Sequence, residues 1–399
     1  MKEEKENIGK ILLIFLQLGF TSFGGPIAHL GYFREAFVER RKWLSEKGFA
    51  DLIALCQFLP GPASSQVGIG IGLTRGGIFG SLAAWIGFTL PSALAMIIFG
   101  YGVINFKQVI PIGVLHGLKI VAVAVVGQAI WGMSRTLCPD KLRITIAVIS
   151  ASIILIFQTA LVQFGVIILG AFSGFFFLNL ETKFEKSSFQ IQVSKSLAIF
   201  CLFSFFLFLF GLPVLTKMYF SESLALFDSF YRSGSLVFGG GHVVLPLLKT
   251  EVVPTGLVSK EAFMAGYGAA QAVPGPLFTF SAFLGTVMKS SPNGWMGAFI
   301  CLFAIFLPSF FLMLGVLPFW DSLGKVKFIA KGLLGVNASV VGLLLAAFYN
   351  PLWISAVLSS TDFILALLAF LLLVIWRVSP YLVVCLSALG GWVVQFLIS

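Results

Sequence analysis

The chain has 399 residues, of which 58% are hydrophobic and only 11% are charged. Soluble domains carry about 25% charged residues, so this composition excludes an ordinary soluble protein. The net charge of +10 would indicate nucleic-acid binding in a soluble chain. Here most lysines and arginines lie in short loops between apolar segments, where they set membrane topology. We therefore predict an all-α polytopic protein of the cytoplasmic membrane, which contacts the lipid bilayer and binds no nucleic acid.

Apolar segments follow one another along the whole chain, and several are long enough to cross the ~30 Å hydrocarbon core of a bilayer. In chain order they are predicted at 8–33, 48–74, 78–103, 112–136, 143–157 and 160–180, followed by a polar linker at 181–195 and one extra span at 196–216. The first segment contains Phe23-Gly24-Gly25-Pro26, where we expect the helix to unwind. The second segment is interrupted by Pro60-Gly61-Pro62.

The glycine and proline punctuation of the first half returns in the second half. Phe23-Gly24-Gly25 matches Phe238-Gly239-Gly240, Pro60-Gly61-Pro62 matches Pro274-Gly275-Pro276, and Leu90-Pro91-Ser92 matches Leu307-Pro308-Ser309. The offset stays between 214 and 217, which chance similarity of apolar segments would not maintain. We infer an internal duplication, with a first repeat at 1–180, a linker and extra transmembrane helix at 181–217, and a second repeat at 218–399.

Two topologies are compatible with this duplication. If each Pro-Gly-Pro stretch crosses the membrane once, the chain has about 13 membrane segments, and the extra span makes the two copies inverted. If each stretch forms a re-entrant hairpin, there are 11 crossings and the copies are parallel. Positive charges do not decide, and the basic loop 34–47 is an exception to the positive-inside rule in the first version. We favour inversion, since inverted repeats with discontinuous helices recur among transporters.

The two Pro-Gly-Pro breaks are the predicted substrate site. Irregular backbone at membrane depth is tolerated where it lines a cavity or is buried in protein. A helix that restarts after the break carries about half a positive charge at its N-terminus and binds anions there. Ser64 and Ser65 would add hydroxyl donors. The predicted binding residues are Gly24, Gly25, His29, Gln57, Pro60, Gly61, Pro62, Ser64, Ser65, Gln66, Arg232, Gly239, Gly240, Gly241, His242, Gln271, Pro274, Gly275, Pro276 and Thr279.

Several of these residues have an equally ordinary structural role. Glycine pairs also serve close helix packing in membranes. His29 and His242 would either bind an anion or carry a proton, or be hydrogen-bonded packing residues. Arg232 is a candidate substrate contact, but Asp228 lies four residues earlier and would form a local ion pair. Lys119 is a weaker candidate for the same role.

Other classes of function lack their motifs. Three scattered histidines cannot supply an H-E-x-x-H metal site, and no P-loop is present, so no catalytic residue, metal or cofactor is predicted. Transport would then depend on an ion gradient or on the membrane potential. A passive channel remains an alternative, although no charged filter ring is visible. A homodimer is compatible with the sequence.

The paired motifs resemble the chromate ion transporter family in its long two-domain form. The first signature is Phe23-Gly24-Gly25-Pro26-Ile27-Ala28-His29 followed by the Gln57–Gln66 stretch, and the second is Phe238-Gly239-Gly240-Gly241-His242 followed by Gln271-Ala272-Val273-Pro274-Gly275-Pro276. The resemblance implies export of chromate, driven by the membrane potential or a proton gradient, by two antiparallel halves. Sulfate is a tetrahedral dianion of nearly the same size. The residues themselves therefore indicate only a small oxyanion, and a transporter or flippase of another anion, such as a lipid phosphate, is the alternative. A membrane enzyme is a weaker one.

Overall fold

The computed structural model describes residues 6–23, 25–105, 112–157, 159–178, 193–219, 221–238, 241–320 and 327–398. These residues form α-helices with short 3-10 and π-helical segments and contain no β-strand, which confirms the all-α prediction. The predicted site residues Gly24, Gly239 and Gly240 lie outside the described residues, as does part of the predicted linker, 179–192.

The first four helices of the first half surround the first break. The first-half helices are α1 (Ile8–Thr21), α2 (Gly25–Phe33), α3 (Glu46–Phe58), α4 (Ala63–Asn105), α5 (Ile112–Leu137), α6 (Lys141–Ile156) and α7 (Ala160–Phe177). The extra helix α8 (Lys195–Met218) connects the halves. The second-half helices are α9 (Glu222–Ser235), α10 (Val244–Val252), α11 (Lys260–Ala270), α12 (Phe280–Val287), α13 (Gly294–Val316), α14 (Lys327–Ala347), α15 (Ser360–Val374) and α16 (Pro380–Ile398).

Five apolar helices of the described chain are long enough to span a membrane. They are Ala63–Asn105, Gly113–Leu137, Lys195–Met218, Gly294–Phe319 and Ala330–Ala356. Their outer faces expose large apolar side chains such as Phe203 and Phe299, as expected for surfaces that meet lipid rather than water.

The first apolar segment doubles back instead of running straight. The ring of Phe15 on α1 lies 5.7 Å from the ring of Phe33 on α2 and 5.0 Å from that of Phe37. In one continuous helix Phe15 and Phe33 would be about 27 Å apart. The expectation of a single span over 8–33 is therefore wrong, although the predicted unwinding point at 23–26 is where the chain turns.

The segment with the first Pro-Gly-Pro also forms a hairpin. A Cβ atom placed on Gly70 of α4 would lie 2.7 Å from Leu52 Cδ1 of α3, so the two arms run side by side. Helix α4 then reverses at Gly77, which has φ 61° and ψ −152°. A Cβ on Gly72 would be 2.8 Å from Ala84 Cβ, and so the second arm, 78–105, folds back against the first arm, 63–76.

The second half repeats these reversals. Arg232 on α9 bonds to Glu251 on α10, and the rings of Phe263 on α11 and Phe280 near the start of α12 lie 5.1 Å apart. The open end of this second hairpin is closed by the Lys289 N–H, which donates to the Leu257 carbonyl at 3.0 Å. The corresponding first-half hairpin is closed at the same place, where the Arg75 side chain donates to the Trp43 carbonyl. Each half therefore contains two hairpins of half-length helices.

The two halves run in opposite directions. The second arm of α4 packs on its counterpart α13: Tyr101 Oη accepts from the Trp295 N–H at 3.1 Å, and the Trp85 ring lies 5.6 Å from that of Phe306. The later residue of α4 meets the earlier residue of α13, so the helices are antiparallel. Parallel copies would place equivalent helices in the same direction, and the predicted inverted repeat is confirmed. Hairpins at the breaks are compatible with inverted copies because 8–33 is itself a hairpin and not one straight span.

Helices are exchanged between the halves. Helices α6 and α7 pack on α14 of the second half, where Ser150 Oγ and Ser339 Oγ are 3.1 Å apart. Reciprocally, α15 and α16 pack on α5 of the first half, where His116 Nε2 lies 2.8 Å from Asp362 Oδ1. Glycines let these backbones approach closely, as small residues do between membrane helices. This exchange fixes the relative position of the two breaks.

Candidate functional site

The first break is held by the second half of the chain. Helix α3 ends at Phe58 and α4 begins at Ala63, as predicted. Between them Gly61 adopts φ 124°, which only glycine adopts readily, and its N–H donates to the Val237 carbonyl at 2.6 Å. Gln66 Nε2 donates to the Pro60 carbonyl at 2.7 Å and closes the turn from the α4 side.

The second break is held by the first half in the same way. Helix α11 ends at Ala270, and helical structure resumes with a 3-10 turn, Leu277–Thr279, that leads into α12. Gly275 has φ 95° and donates its N–H to the Ser22 carbonyl at 2.9 Å. Ser22 directly follows α1, just as Val237 lies shortly after α9. The two backbone bonds are therefore equivalent under the inversion.

A serine of the opposite half lies against each break glycine. A Cβ placed on Gly61 would be 2.7 Å from Ser309 Oγ on α13, and one placed on Gly275 would be 2.9 Å from Ser92 Oγ on α4. Ser92 and Ser309 occupy matching positions in the repeated Leu-Pro-Ser. Each break thus adjoins the proline-containing segment of the opposite long helix.

His29 connects the two breaks. Its Nδ1 lies 3.3 Å from Ser64 Oγ, directly after the first break. Its ring is edge-on to Phe88 at 5.2 Å, and the Phe88 carbonyl lies 3.0 Å from a Cβ placed on Gly275. The side chain is 1% exposed. A continuous path of contacts therefore runs from one break to the other.

Among the described residues, the region between the breaks contains many buried polar atoms without a hydrogen-bond partner. These atoms are Ser22 Oγ, His29 Nε2, Ser65 Oγ, Gln66 Oε1, Trp85 Nε1, Thr89 Oγ1, Gln271 Nε2 and Ser309 Oγ. We call this set, with the two Pro-Gly-Pro turns, the break junction. A buried polar atom without a partner costs about 1–3 kcal/mol, and native interiors contain few of them. Their concentration at one place indicates a site for a polar ligand.

The electrostatics of the break junction come from dipoles. None of the side chains in the junction is a lysine, arginine, aspartate or glutamate. The first arm of α4 and the helical turn Leu277–Thr279 both begin here, and they extend in opposite directions because the halves are inverted. The first N–H groups of a helix have no partner within it and carry partial positive charge. Hydroxyl, indole and carboxamide groups surround these ends, so the junction is suited to an anion that accepts several hydrogen bonds.

The comparison with protein families decides the family of this chain. The family model described as "Chromate transporter" matches residues 9–175 and 224–392, which covers both halves. The chain belongs to the chromate transporter family. The two matched regions coincide with the two inverted halves and leave out α8, so the family unit is one half.

Relatives match over most of their length. A transporter of Methanocaldococcus jannaschii described as uncharacterized is 31% identical over 353 residues, 86% of this chain and 85% of the relative. A probable chromate transport protein of Synechococcus elongatus is 27% identical over 340 residues, 84% of this chain and 81% of the relative. The chromate transport protein of Pseudomonas aeruginosa is 27% identical over 393 residues, 95% of this chain and 91% of the relative. No solved structure matches the chain significantly.

Some predicted site residues of this chromate transporter family member lie apart from the unpartnered atoms or are already satisfied. Gln57 is exposed, unlike its repeat partner Gln271. Thr279 Oγ1 donates to the Pro276 carbonyl at 2.8 Å. His242 Nδ1 lies 2.9 Å from Tyr267 Oη. Gly25, with φ 77°, opens α2, and Gly241 opens the 3-10 turn before α10.

Arg232 is occupied by carboxylates. Its guanidinium bonds to Asp228 Oδ2 at 3.0 Å and to both carboxylate oxygens of Glu251 at 3.2 and 3.3 Å. The ion pair expected with Asp228 is therefore present, and Glu251 adds a second one. With two negative partners on one cation, this triad has a net negative charge and does not attract an anion. Lys119 is half-buried on α5.

Sequence reasoning did not assign five residues that line the break junction. They are Ser22, Trp85, Thr89, Ser92 and Ser309. The repeated Leu-Pro-Ser marks Ser92 and Ser309 as equivalent positions, but it does not show that each lies against the break of the opposite half. Ser22 precedes the repeated glycine phrase and has Val237 as its counterpart, so the repeat does not mark it.

Proposed function

We propose that this protein is a secondary transporter that exports chromate, or a similar tetrahedral oxyanion such as sulfate, across the cytoplasmic membrane. The break junction is its binding site, and the membrane potential or a proton gradient drives transport. The observation that carries this proposal is the concentration of unpartnered buried polar atoms where the two inverted breaks meet. The chromate transport proteins among the relatives supply the substrate class.

The hydrogen-bond donors of the break junction suit a dianion that must first be bound and then released. An oxyanion with four oxygens can accept from Ser22, Ser65 and Ser309 together with backbone N–H groups at both helix starts. Hydrogen bonds to a charged group contribute about 1.5–3 kcal/mol each. A formal cation in this buried site would hold the dianion more strongly and slow its release. Helix dipoles that face the anion from both halves bind it without favouring release to either side of the membrane.

Flux measurements test the proposed function. We expect purified protein in liposomes to move radiolabelled chromate faster when a potassium diffusion potential is imposed than when it is collapsed. Unlabelled sulfate in excess should slow this flux, since both anions have the same shape and charge. Protein-free liposomes are the control. Chromate and sulfate that stay where they were loaded, under either a potential or a pH gradient, would refute the proposal.

We further propose that the four hairpins are re-entrant and that nine helices cross the membrane. The crossing elements are the second arm of α4 (78–105), α5, α6, α7, α8, α13, α14, α15 and α16. Both hairpins of the first half then open to the face where α1 begins, and both hairpins of the second half open to the opposite face. The two breaks meet between them, near the middle of the bilayer. With two re-entrant hairpins on each side of the membrane, the irregular backbone of the hairpin turns stays inside the protein and away from lipid.

The distribution of positive charge supports this path and gives its orientation. On the α1 face lie Lys10, Arg34, Arg40, Arg41, Lys42, Lys47, Arg75, Arg135, Lys141, Arg143, Lys195, Lys327, Lys331 and Arg377, and on the opposite face lie Lys217, Lys249, Lys260 and Lys289. Among the described residues only Lys119 and Arg232 are set aside. The positive-inside rule therefore places the α1 face in the cytoplasm. The basic loop 34–47 is no longer an exception, because a hairpin keeps it on the cytoplasmic face.

Single cysteines distinguish the possible paths. In a Cys385→Ser background, we expect Lys47→Cys and Lys141→Cys to react with a membrane-impermeant maleimide from the cytoplasmic face, and Lys289→Cys from the outer face. All three lysines are exposed. A path in which each break crosses once puts Lys47 and Lys141 on opposite faces. Parallel copies put all three on one face. Either labelling pattern would contradict the nine-crossing path.

A further inference from the structure

A cavity of about 70 Å³ lies away from the break junction, where the two halves exchange helices. Its walls come from the ends of α6 and α14, the start of α7, and α10. In the nine-crossing path these helix ends lie at the outer face. The polar lining residues are Gln163, Lys249, Thr250 and Asn350, and the remaining wall is apolar. The cavity is comparable in size to one small anion.

Lys249 supplies a positive charge in this cavity. Its amine donates to the carbonyl and to Oδ1 of Asn350, both at 3.3 Å. An ammonium group has three N–H donors, so one remains available. In the part of the chain that the structure describes, no carboxylate pairs with this amine: the nearby Glu251 bonds to Arg232 instead. The charge of Lys249 is therefore not neutralised by the protein groups described.

Gln163 supplies a second unsatisfied group. Its side chain is 3% exposed and lines the cavity, and its Oε1 has no hydrogen-bond partner among the described residues. Rotation of the carboxamide exchanges its oxygen and nitrogen, so the same side chain can present N–H donors to an anion. A buried carboxamide atom without a hydrogen-bond partner lowers the stability of the protein. A ligand that supplies the missing hydrogen bond would remove this penalty.

The matching cation in the first half is paired with carboxylates. The repeat offset that aligns Ser22 with Val237 aligns Arg34 with Lys249. Arg34 forms ion pairs with both Glu39 and Glu46. The two matching positions therefore differ: among the described residues Arg34 has two carboxylate partners, whereas Lys249 has none. This difference breaks the symmetry between the two directions of transport.

The cavity is joined to the break junction by α10. The 3-10 turn Gly241–Val243 that precedes α10 follows the second glycine phrase, and Lys249 lies about 10 Å further along the helix axis. An anion that leaves the junction along α10 would reach the amine next. The side chains of the junction carry no formal charge, whereas this cavity is open enough and charged enough to receive a dianion.

We propose that this cavity is a second oxyanion site, which receives the transported anion at the outer mouth after it leaves the break junction. The proposal rests on the proposed function, because it takes the same tetrahedral oxyanion as ligand. The occupant is an anion from solution. Lys249 supplies the charge, and Gln163 supplies the hydrogen bond that selects an oxyanion acceptor.

Equilibrium binding of radiolabelled chromate to the full chain in neutral phosphatidylcholine nanodiscs tests this site. We expect two binding phases in the unmodified protein. Lys249→Met should weaken one phase tenfold or more, as expected when a charged hydrogen-bond donor is removed. Lys249→Arg should retain that phase. Gln163→Leu should weaken it about tenfold. Lys217→Met removes an exposed lysine from the same face and should change neither phase by more than about twofold.

The failures of the two proposals are distinguishable. A single phase that persists in Lys249→Met and in Gln163→Leu, and is lost in Ser309→Ala, would overturn the second site alone. No binding in any variant would overturn both proposals. Nanodiscs that contain phosphatidylglycerol provide the last comparison. Loss of the Lys249-dependent phase in these nanodiscs would identify a lipid phosphate as the occupant and overturn the assignment to a soluble anion.

Discussion

Replacing Gly61 by leucine should reduce anion flux about a hundredfold in protein that still reaches the membrane. Gly61 has φ 124°, a conformation that L-residues with a Cβ rarely adopt, and its Cβ would lie 2.7 Å from Ser309 Oγ. The turn must therefore shift, and the donors around the anion shift with it. Displacements of about 1 Å in a preorganised site cost about 10²-fold in rate. Gly275→Leu should act in the same way, since Gly275 has φ 95° and lies against Ser92.

Gly102→Leu is the matched control for this substitution. Gly102 lies on the same helix as the first break, and a Cβ there would meet nothing within 4 Å. We expect its flux and its abundance in the membrane to stay near those of the unmodified protein. Flux per molecule should be measured after quantifying abundance for each variant. A Gly61→Leu protein whose abundance falls as far as its flux would show that the break serves folding alone.

The breaks themselves could be predicted because their cause is local. Pro60 and Pro62 have no N–H, and Gly61 permits the turn, so the helix had to stop whatever surrounded it. The duplication and the extra span leave both inverted and parallel copies possible, and inversion is favoured because inverted repeats recur among transporters. Hairpins at the Pro-Gly-Pro stretches are one of two alternatives from the sequence, and the hairpin at 8–33 is not predicted, since an apolar run looks the same whether it crosses the membrane or turns back. The reversal at Gly77 falls at the boundary between the predicted segments 48–74 and 78–103, but this boundary does not show that the first of them turns back.

One sequence feature did point to the hairpins. The basic loop 34–47 violated the positive-inside rule in the straight-through version. Five of its positive residues had to lie outside the cell: Arg34, Arg40, Arg41, Lys42 and Lys47. The path with two re-entrant hairpins in the first half removes this violation. An exception that involves five positive charges is strong evidence against the path in which each break crosses the membrane once.

The composition of the site depended on contacts that cross between the halves. Ser64, Ser65 and Gln66 are candidates from the sequence because they follow the first break directly. Ser309 lies in the repeated Leu-Pro-Ser, but nothing in the sequence shows that it adjoins the break of the opposite half. Arg232 was selected because charges within apolar segments are unusual. The nearby Glu251, which occupies it, lies across a hairpin that the sequence did not reveal.

Removing the unpartnered hydroxyls should separate stability from transport. Ser65 Oγ and Ser309 Oγ are buried without a hydrogen-bond partner among the described residues. Ser65→Ala and Ser309→Ala therefore remove an unfavourable buried hydroxyl from the protein without bound anion, and the melting temperature should stay unchanged or rise. Each loses a hydrogen bond to the bound anion that contributes about 1.5–3 kcal/mol, and KM should rise about tenfold to a hundredfold. Thermal unfolding and flux are measured on the same preparations.

Ser81→Ala is the control with the opposite expectation. Ser81 is also fully buried on α4, but its Oγ donates to the Ile78 carbonyl at 2.7 Å. Losing a satisfied hydrogen bond costs about 1 kcal/mol, so its melting temperature should fall slightly while KM stays unchanged. If Ser309→Ala behaves like Ser81→Ala, the hydroxyls of the junction serve packing, and the anion binds elsewhere. If stability rises while affinity falls, the unsatisfied atoms of the junction are kept for the ligand that completes them.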